Sequence, residues 1–292
     1  MEVVDRISEI IGTRVHRPGE IAACAATRER ASTLVDIEGG LVVIAADHPA
    51  RGALSAGPEP FAMADRVDLL ERLCIALGRP GVGGVLATAD VLEELLLLGA
   101  LEGKVVIGSM NRGGLAGTVF EMDDRFTGYD AAAIARMGFD GGKMLLRIDP
   151  EDPVTAATIE ACARAITDLA DRGLIAIVEP FISHRIDSRM RNDLSAEAMI
   201  RAISVTSGLG CTSAYTWLKV PVVPDMERVT AASTLPVLLL GGEVPDDPEQ
   251  AFAAWRKALQ LPNVKGIVAG RSLLYPADGD VAQAVDTAVS LL

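Results

Sequence analysis

Residues 213–221 read Ser-Ala-Tyr-Thr-Trp-Leu-Lys-Val-Pro, a short β-forming stretch that carries a lysine near its end. Side chains alternate along a strand, so Lys219 is predicted to share one face with Trp217 and Pro221. An ammonium group inside an apolar strand is costly unless it is paired or neutral. A lone lysine at a strand end typically extends its charged head to solvent. Here other apolar stretches carry charges at comparable positions, which favours a functional interpretation.

Eight such apolar runs, alternating with helical segments, predict the fold. The runs are 41–46, 83–87, 104–108, 143–148, 174–178, 215–220, 237–240 and 266–269. Apolar spacing near 3.6 predicts helices over 65–77, 89–98, 130–137, 155–172, 196–207 and 248–259. Strands this apolar are buried on both faces and pair in parallel, so the pattern predicts an α/β fold, a (β/α)8 TIM barrel. An open doubly wound sheet is the alternative, but no Gly-x-Gly-x-x-Gly follows the first run.

The segment before the first run, residues 1–38, is predicted to be a helical extension. Pro18 and Glu20 suit a helix start, and the Ala-rich stretch to Ala31 suits its body. No change of composition divides the 292 residues, which is a length that one barrel often fills. We therefore expect a single domain over 1–292.

Composition excludes several classes of function. The net charge of −13 argues against nucleic acid as a partner. The four cysteines form no CxxC pair, which indicates reduced thiols in a cytoplasmic protein. No signal peptide is evident, and no uncharged apolar run approaches roughly 18 residues, so no membrane span is expected. We expect a homo-oligomer that acts on a small molecule.

Charged residues follow the predicted strands where a TIM barrel carries its active site, at the carboxyl ends. Asp47, Glu179 and Lys219 lie at such ends, and Lys143 lies earlier on its strand and points into the barrel. Each alone favours a structural ion pair. Together they favour a site, because buried charge clusters are expensive and perturbed groups gather at active sites.

Two lysines with two carboxylates suit imine chemistry. A lysine is nucleophilic only as the free amine, so its pKa must fall from near 10.4 by several units. An apolar wall and a neighbouring cation both lower it, and Lys143 is the expected cation beside Lys219. The protonated imine then withdraws electrons as a carbon–carbon bond breaks, while Glu179 or Asp47 moves protons.

Glycine turns after the last two strands predict a phosphate site. Gly241 and Gly242 follow the seventh run, and Gly270 and Arg271 follow the eighth, the usual position of phosphate in this fold. Glycine lets backbone amides approach an anion, and a following helix start adds its dipole. Turn glycines that any barrel needs are the alternative.

Metal chemistry is the rival route to carbon–carbon cleavage. The three histidines, His16, His48 and His184, show no His-Glu-x-x-His or comparable ligand spacing, so we expect neither a metal nor another cofactor. His48 follows Asp47 and is a candidate substrate contact. His184 is equally well interpreted as a loop residue without a function.

From about Gly40 to Pro276 the chain resembles the class I, Schiff-base aldolases of the deoxyribose-phosphate and tagatose-bisphosphate aldolase superfamily. The segments that carry the resemblance are Asp47-His48 with Arg51-Gly52-Ala53-Leu54, Lys143-Met144-Leu145-Leu146, Glu179-Pro180, Leu218-Lys219-Val220 and Gly270-Arg271. The resemblance implies an imine on Lys219, a catalytic Glu179 and Lys143, phosphate binding at Gly270-Arg271, and substrate contacts near His48 and Arg51. It implies an aldehyde-lyase that needs no metal.

One residue departs from the family pattern. Arg147 stands where the tagatose-bisphosphate type commonly carries an aromatic residue. An arginine at the barrel mouth suggests a second anion on the substrate. The alternative is that Arg147 only neutralises nearby acids such as Asp47 or Asp149. Similar barrels accompany myo-inositol catabolism, whose aldol substrate, 6-phospho-5-dehydro-2-deoxygluconate, carries a phosphate and a carboxylate. This substrate is the leading hypothesis, with dihydroxyacetone phosphate and malonate semialdehyde as products.

Other functions stay open from the sequence. Tagatose- or fructose-bisphosphate, sulfofructose-phosphate and deoxyribose-phosphate are alternative aldolase substrates. An aldolase-like enzyme that transfers acyl groups would share the reactive lysine. A non-catalytic sugar-phosphate sensor would not need the whole set of two lysines and two carboxylates.

Overall fold

A closed ring of parallel strands forms the centre of the computed structural model, which describes residues 3–31, 40–187, 189–242, 244 and 247–292. The strands within these ranges are β1 (Leu41–Ala46), β2 (Val82–Ala87), β3 (Val105–Ser109), β4 (Gly141–Ile148), β5 (Ile175–Ile186), β6 (Arg189–Asp193), β7 (Thr216–Val220), β8 (Val237–Leu240) and β9 (Val264–Ala269). All except β6 pair in parallel, in the order β1-β2-β3-β4-β5-β7-β8-β9. The pairing of β9 with β1, which joins Leu41 to Gly266, closes the ring.

Helices follow the strands and cover the outside of the ring. They are α1 (Val3–His16), α2 (Gly19–Thr27), α3 (Arg66–Leu77), α4 (Ala89–Leu97), α5 (Ala131–Arg136), α6 (Val154–Ala170), α7 (Ala196–Ser207), α8 (Met226–Thr230), α9 (Pro248–Ala258), α10 (Arg271–Leu274) and α11 (Val281–Val289). A single 3-10 turn, Pro49–Arg51, follows β1. The predicted TIM barrel with an N-terminal helical segment is therefore confirmed, and the open sheet is wrong. None of the described helices combines the length and the apolar character needed to cross a bilayer.

The strands are apolar on both faces because each face has its own core. Leu41, Val43 and Ala45 of β1 pack with inward side chains of the other strands, among them Ile107. The alternate residues of β1, such as Ile44, pack under the helices in a larger cluster. Period-two alternation between two buried environments therefore gives an unbroken apolar run instead of the polar alternation of a half-exposed strand.

The N-terminal segment contacts the end of the barrel opposite the predicted site. Helix α2 ends at Thr27, not at Ala31 as predicted, and residues 1, 2 and 32–38 of the predicted extension lie outside the described ranges. The chain becomes extended at Arg28, whose buried guanidinium donates to carbonyls that precede β3 and β4. The acceptors are Leu101 at 3.1 Å, Lys104 at 2.9 Å and Gly138 at 3.0 Å. Because the Arg28 guanidinium satisfies these three carbonyl oxygens, an extended chain at Arg28 is favoured over another helical turn.

Strand β5 is longer than predicted and forms an antiparallel hairpin with β6. It continues past the predicted end at Val178 to Ile186, and β6 pairs with it in antiparallel fashion from Ile182↔Asp193 to Ile186↔Arg189. His184 therefore lies in a strand and not in a loop, with its Nδ1 3.5 Å from Asp149 Oδ1. This hairpin extends beyond the ring, where much of it faces solvent. Its sequence is therefore polar there and lacks the apolar pattern that predicted the other strands.

The long segment between β3 and α5 is anchored to the turn after β1. Arg51 is 5% exposed and donates to the carbonyls of Gly114 at 2.5 Å and Asn111 at 3.1 Å. Its Nη2 also pairs with Asp124 Oδ2 at 2.5 Å, while Asp124 Oδ1 accepts from the Gly114 amide at 3.1 Å. These contacts hold residues 112–128, named the β3 loop here, over one side of the barrel mouth.

Replacing Asp124 with Ala tests this anchor. Breaking a buried pair costs about 3–5 kcal/mol, because the Arg51 charge stays buried without its partner. We expect cleavage of the β3 loop in limited proteolysis to accelerate at least about 100-fold, since ~1.4 kcal/mol is tenfold and cleavage follows the open population. The matched control is Asp123→Ala, whose partner Arg125 is 76% exposed. An exposed pair contributes at most about 1 kcal/mol, so equal acceleration in both variants would contradict the anchor.

Candidate active site

Four charged side chains converge inside the carboxyl end of the barrel. Lys143 on β4, Glu179 on β5 and Lys219 on β7 point inward, and Asp47 follows β1. Asp47 is 1%, Lys143 2% and Lys219 4% exposed, which is far below the usual exposure of charged residues. All four were predicted from the sequence, three at strand ends and Lys143 earlier on its strand, and the structure brings them together.

Their contacts form a chain of alternating charge. Lys219 Nζ lies 3.2 Å from Glu179 Oε1, and Lys143 Nζ lies 2.5 Å from Glu179 Oε2. Lys143 Nζ also lies 3.3 Å from Asp47 Oδ2. Arg112, at the start of the β3 loop, pairs with the same Asp47 oxygen. The order is Arg112, Asp47, Lys143, Glu179, Lys219, so each carboxylate lies between two cations.

Burial makes the protonation of this chain unusual. Burial, followed by the neighbouring cations Arg112 and Arg271, lowers the pKa of Lys219, and Glu179 opposes this only in part. Burial also lowers the pKa of Lys143, although that lysine contacts two carboxylates. Burial alone would raise the pKa of Glu179, but Lys143 and Lys219 outweigh it and hold that pKa well below its usual range. The arrangement thus favours an ionised Glu179 beside an amine that loses its proton readily.

His48 adds a neutral imidazole to the site. Burial lowers its pKa well below the usual value, and Arg271, Lys219 and Lys143 lower it further. Its Nδ1 lies 3.9 Å from Asp47 Oδ1, too far for a hydrogen bond. A neutral imidazole has one donor and one acceptor nitrogen, so His48 suits a contact with substrate hydroxyls, which stays a prediction.

The two predicted phosphate turns lie side by side. Gly241 follows β8 and Gly270 precedes α10, and a Cβ on Gly241 would lie 2.7 Å from Ser272 Oγ. A Cβ on Gly270 would overlap the carbonyl of Ala45. Gly242 has a φ of +67°, which glycine adopts without strain. Close packing at Gly241 and Gly270 and the positive φ of Gly242 therefore favour glycine at these turns whether or not they hold an anion.

Ser272 is a residue at these turns that the sequence interpretation missed. Its Oγ is buried and has no hydrogen-bond partner among the described residues. A buried hydroxyl without a partner is unfavourable unless a ligand or water supplies one. Because Ser272 lies one residue after Arg271, it fits the predicted phosphate site, and the position right after Gly270-Arg271 was the signal available.

The two remaining predicted arginines contact the β3 loop. Arg147 Nη1 donates to the Glu121 carbonyl at 3.1 Å and lies 3.0 Å from its Oε1. Arg147 therefore pairs with an acid, as the alternative interpretation expected, but that acid is Glu121 of the β3 loop and not Asp47 or Asp149. Arg51 holds the same loop through Asp124, as described above. Substrate binding by Arg51 and Arg147 stays a prediction.

Arg112 is the charged residue of the site that received no role from the sequence. It is 7% exposed, and its Nε donates to Ser109 Oγ at 2.8 Å, while that hydroxyl lies 3.2 Å from Asp47 Oδ2. The signal was available, because Arg112 follows an apolar strand just as Asp47 does.

Comparison with known proteins places the fold. Cgl0159 from Corynebacterium glutamicum is 48% identical, over 98% of this chain and 96% of that one, with a TM-score of 0.95. An archaeal fructose 1,6-bisphosphate aldolase is 17% identical over 93% of this chain and 98% of its own, with a TM-score of 0.65. A fructose-bisphosphate aldolase from Slackia heliotrinireducens is 13% identical over 93% and 89%, also at 0.65.

At this low sequence identity, the two aldolases show that the chain shares their barrel fold. Among functionally curated proteins, no significant match is found. A family profile described as Cgl0159-like matches residues 39–289, which is most of the chain. On this match and on its likeness to the Corynebacterium protein, the chain belongs to the Cgl0159-like family.

Proposed function

We propose that this protein is a class I aldolase that cleaves or forms a carbon–carbon bond in a phosphorylated keto-sugar or keto-sugar acid through an imine on Lys219. The observation that carries the proposal is the position of Glu179, 3.2 Å from Lys219 and 2.5 Å from Lys143. The fold it shares with Schiff-base fructose-1,6-bisphosphate aldolases supports it. The products are dihydroxyacetone phosphate and an aldehyde.

Imine formation needs a free amine and a route for protons. The neutral Lys219 amine adds to the substrate ketone, which forms the carbon–nitrogen bond of a carbinolamine, and the nitrogen passes a proton to Glu179. The carbinolamine oxygen takes up protons and leaves as water, which yields the protonated imine. Lys143 contacts both Asp47 and Glu179. It therefore serves as the proton donor between them, and the two carboxylates serve as its acceptors.

Bond cleavage then uses the imine as an electron acceptor. A carboxylate removes the proton from the hydroxyl on the carbon that becomes the aldehyde. The carbon–carbon electron pair moves to the imine and leaves an enamine on Lys219. Protonation and hydrolysis of the enamine release dihydroxyacetone phosphate and restore the amine. Glu179 and Asp47 are both within the contact network, so either is a candidate for this base.

The leading substrate proposal is a keto acid with a phosphate at one end, such as 6-phospho-5-dehydro-2-deoxygluconate. Its support is Arg147, 8% exposed on the strand that carries Lys143. A ketose bisphosphate is the second candidate. The ion pair of Arg147 with Glu121 favours it, because Glu121 already balances the arginine charge.

We further propose that the enzyme works in the cytoplasm as a homo-oligomer. Cys24, Cys74, Cys162 and Cys211 are free thiols, as a reducing compartment would leave them. Helix α1 exposes Val4, Ile11 and Val15 at 55%, 56% and 66%, and this apolar stripe supports contact with another copy.

Lys219→Ala tests the imine. The wild-type protein incubated with dihydroxyacetone phosphate and borohydride should gain one reduced adduct, which peptide mass mapping places on Lys219. The variant should gain none while its circular dichroism spectrum stays native. Lys265→Ala is the matched control, because Lys265 is exposed on β9, and it should trap as the wild type does. Trapping at another lysine in the Lys219 variant would contradict the assignment.

Arg271→Leu tests the phosphate site. A charge-assisted hydrogen bond contributes roughly 1.5–3 kcal/mol, so KM for a phosphorylated substrate should rise about 10–100-fold. Turnover of the matching dephosphorylated substrate should change little. Arg256→Leu on α9 is the control, because its side chain is exposed. An equal effect of Arg271→Leu on both substrates would mean that Arg271 binds no phosphate.

Arg147→Leu, compared with Glu121→Gln, decides between the two substrate classes. If Arg147 reads a substrate carboxylate, its loss should lower kcat/KM at least about 100-fold on the keto acid and far less on a ketose bisphosphate. Glu121→Gln should then preserve or raise activity on the keto acid, because it frees the arginine. Equal losses on both substrates in both variants would assign the Arg147–Glu121 pair to holding the β3 loop.

A further inference from the structure

Arg112 is a buried cation at one end of the charge chain. It begins the β3 loop directly above β3 and pairs with Asp47, and its Nε donates to Ser109 Oγ at 2.8 Å. The Ser109 hydroxyl lies 3.2 Å from the same Asp47 oxygen, so Arg112 meets that carboxylate both directly and through Ser109. Burial lowers the pKa of Arg112 to about 10, which leaves it positively charged at neutral pH.

Holding the β3 loop does not account for these contacts. Arg51 already fixes the loop through Asp124 and two carbonyls. The start of the loop is fixed by Asn111, whose side chain donates to the Leu145 carbonyl at 2.6 Å and accepts from the Leu145 amide at 2.8 Å. Arg112 instead directs its guanidinium to Ser109 and Asp47 inside the barrel.

Loss of the Arg112 charge would change the rest of the chain in a defined direction. Asp47 would be left with Lys143 as its cationic partner. The Lys143 ammonium group would then shift toward Asp47 and share its proton more with that carboxylate. Glu179 would then pair more fully with Lys219, whose proton would be held more tightly. The Coulomb repulsion between Arg112 and Lys219 acts the same way, because a nearby cation disfavours a second positive charge.

We propose that Arg112 is a positioning residue of the Schiff-base site: it fixes the Asp47 carboxylate beside Lys143 and supplies a positive charge at neutral pH that favours the neutral amine of Lys219. The inference rests on the proposed aldolase function and deepens it. The charged or titratable groups that face Lys219 from the surrounding elements are His48 after β1, Arg112 after β3, Lys143 on β4, Glu179 on β5 and Arg271 after β9, and Asp47 lies beyond Lys143. Of these, Arg112 influences the protonation of Lys219 through the successive ion pairs of Asp47, Lys143 and Glu179.

The test measures the protonation of Lys219 without relying on catalysis. Acetylation of Lys219 by acetic anhydride is followed across neutral and alkaline pH by peptide mass spectrometry in the wild type, Arg112→Met and Arg112→Gln. The glutamine variant keeps a donor for Ser109 and guards against misfolding. Both variants should move the titration midpoint of Lys219 upward by about one pH unit, and imine trapping of dihydroxyacetone phosphate at pH 7 should fall about tenfold.

Arg112→Lys restores the charge and should recover most of the wild-type midpoint. Arg125→Met is the matched control in the same loop, because Arg125 is 76% exposed, and its midpoint should equal that of the wild type. A wild-type midpoint in both Arg112→Met and Arg112→Gln would overturn the inference, whatever their activity. A wild-type Lys219 that titrates near 10.4 and traps no substrate would overturn the proposed function itself.

Discussion

Glu179 lies between two lysine ammonium groups inside the barrel, and the chemistry of the site depends on that single carboxylate. It contacts Lys143 at 2.5 Å and Lys219 at 3.2 Å, so it holds two like charges closer together than they would otherwise remain. Like charges in a buried place lower each other's affinity for protons. Glu179 thus holds the two lysines together without fully compensating their two positive charges. This incomplete compensation is the condition under which one lysine becomes a free amine.

The barrel makes such a cluster possible. Burying charge is expensive, and a single unpaired ion would cost several kcal/mol. The charges are supplied by β4, β5 and β7 and by the segments after β1, β3 and β9. The side chains of Lys143, Glu179 and Lys219 point to the axis because residues alternate along a strand. The chain as a whole carries a net charge of −13, yet its site concentrates arginine and lysine. The proposed anionic substrate would therefore be attracted locally by a protein that repels anions elsewhere.

The sequence predicted much of this arrangement, and the reasons for its failures are physical. The barrel strands and the residues Asp47, Lys143, Glu179 and Lys219 follow from apolar periodicity and from the rule that barrel sites lie at strand ends. The β5–β6 hairpin was missed because strands that face solvent need no apolar pattern. The pairs of Arg51 with Asp124 and of Arg147 with Glu121 were missed because loop geometry, not periodicity, sets them. Arg112 satisfied the strand-end criterion, and its partner Asp47 lies 65 positions earlier, where no local pattern joins them.

The most direct measurement of the central claim is oxygen exchange at the substrate ketone. Dihydroxyacetone phosphate labelled with ¹⁸O at its keto group is incubated with the enzyme, and the label is followed by mass spectrometry. Each cycle of carbinolamine formation and dehydration at Lys219 releases that oxygen as water, so the account predicts enzyme-dependent loss of label far above the solvent rate. Retention of the label while the enzyme catalyses carbon–carbon bond exchange would contradict an imine mechanism.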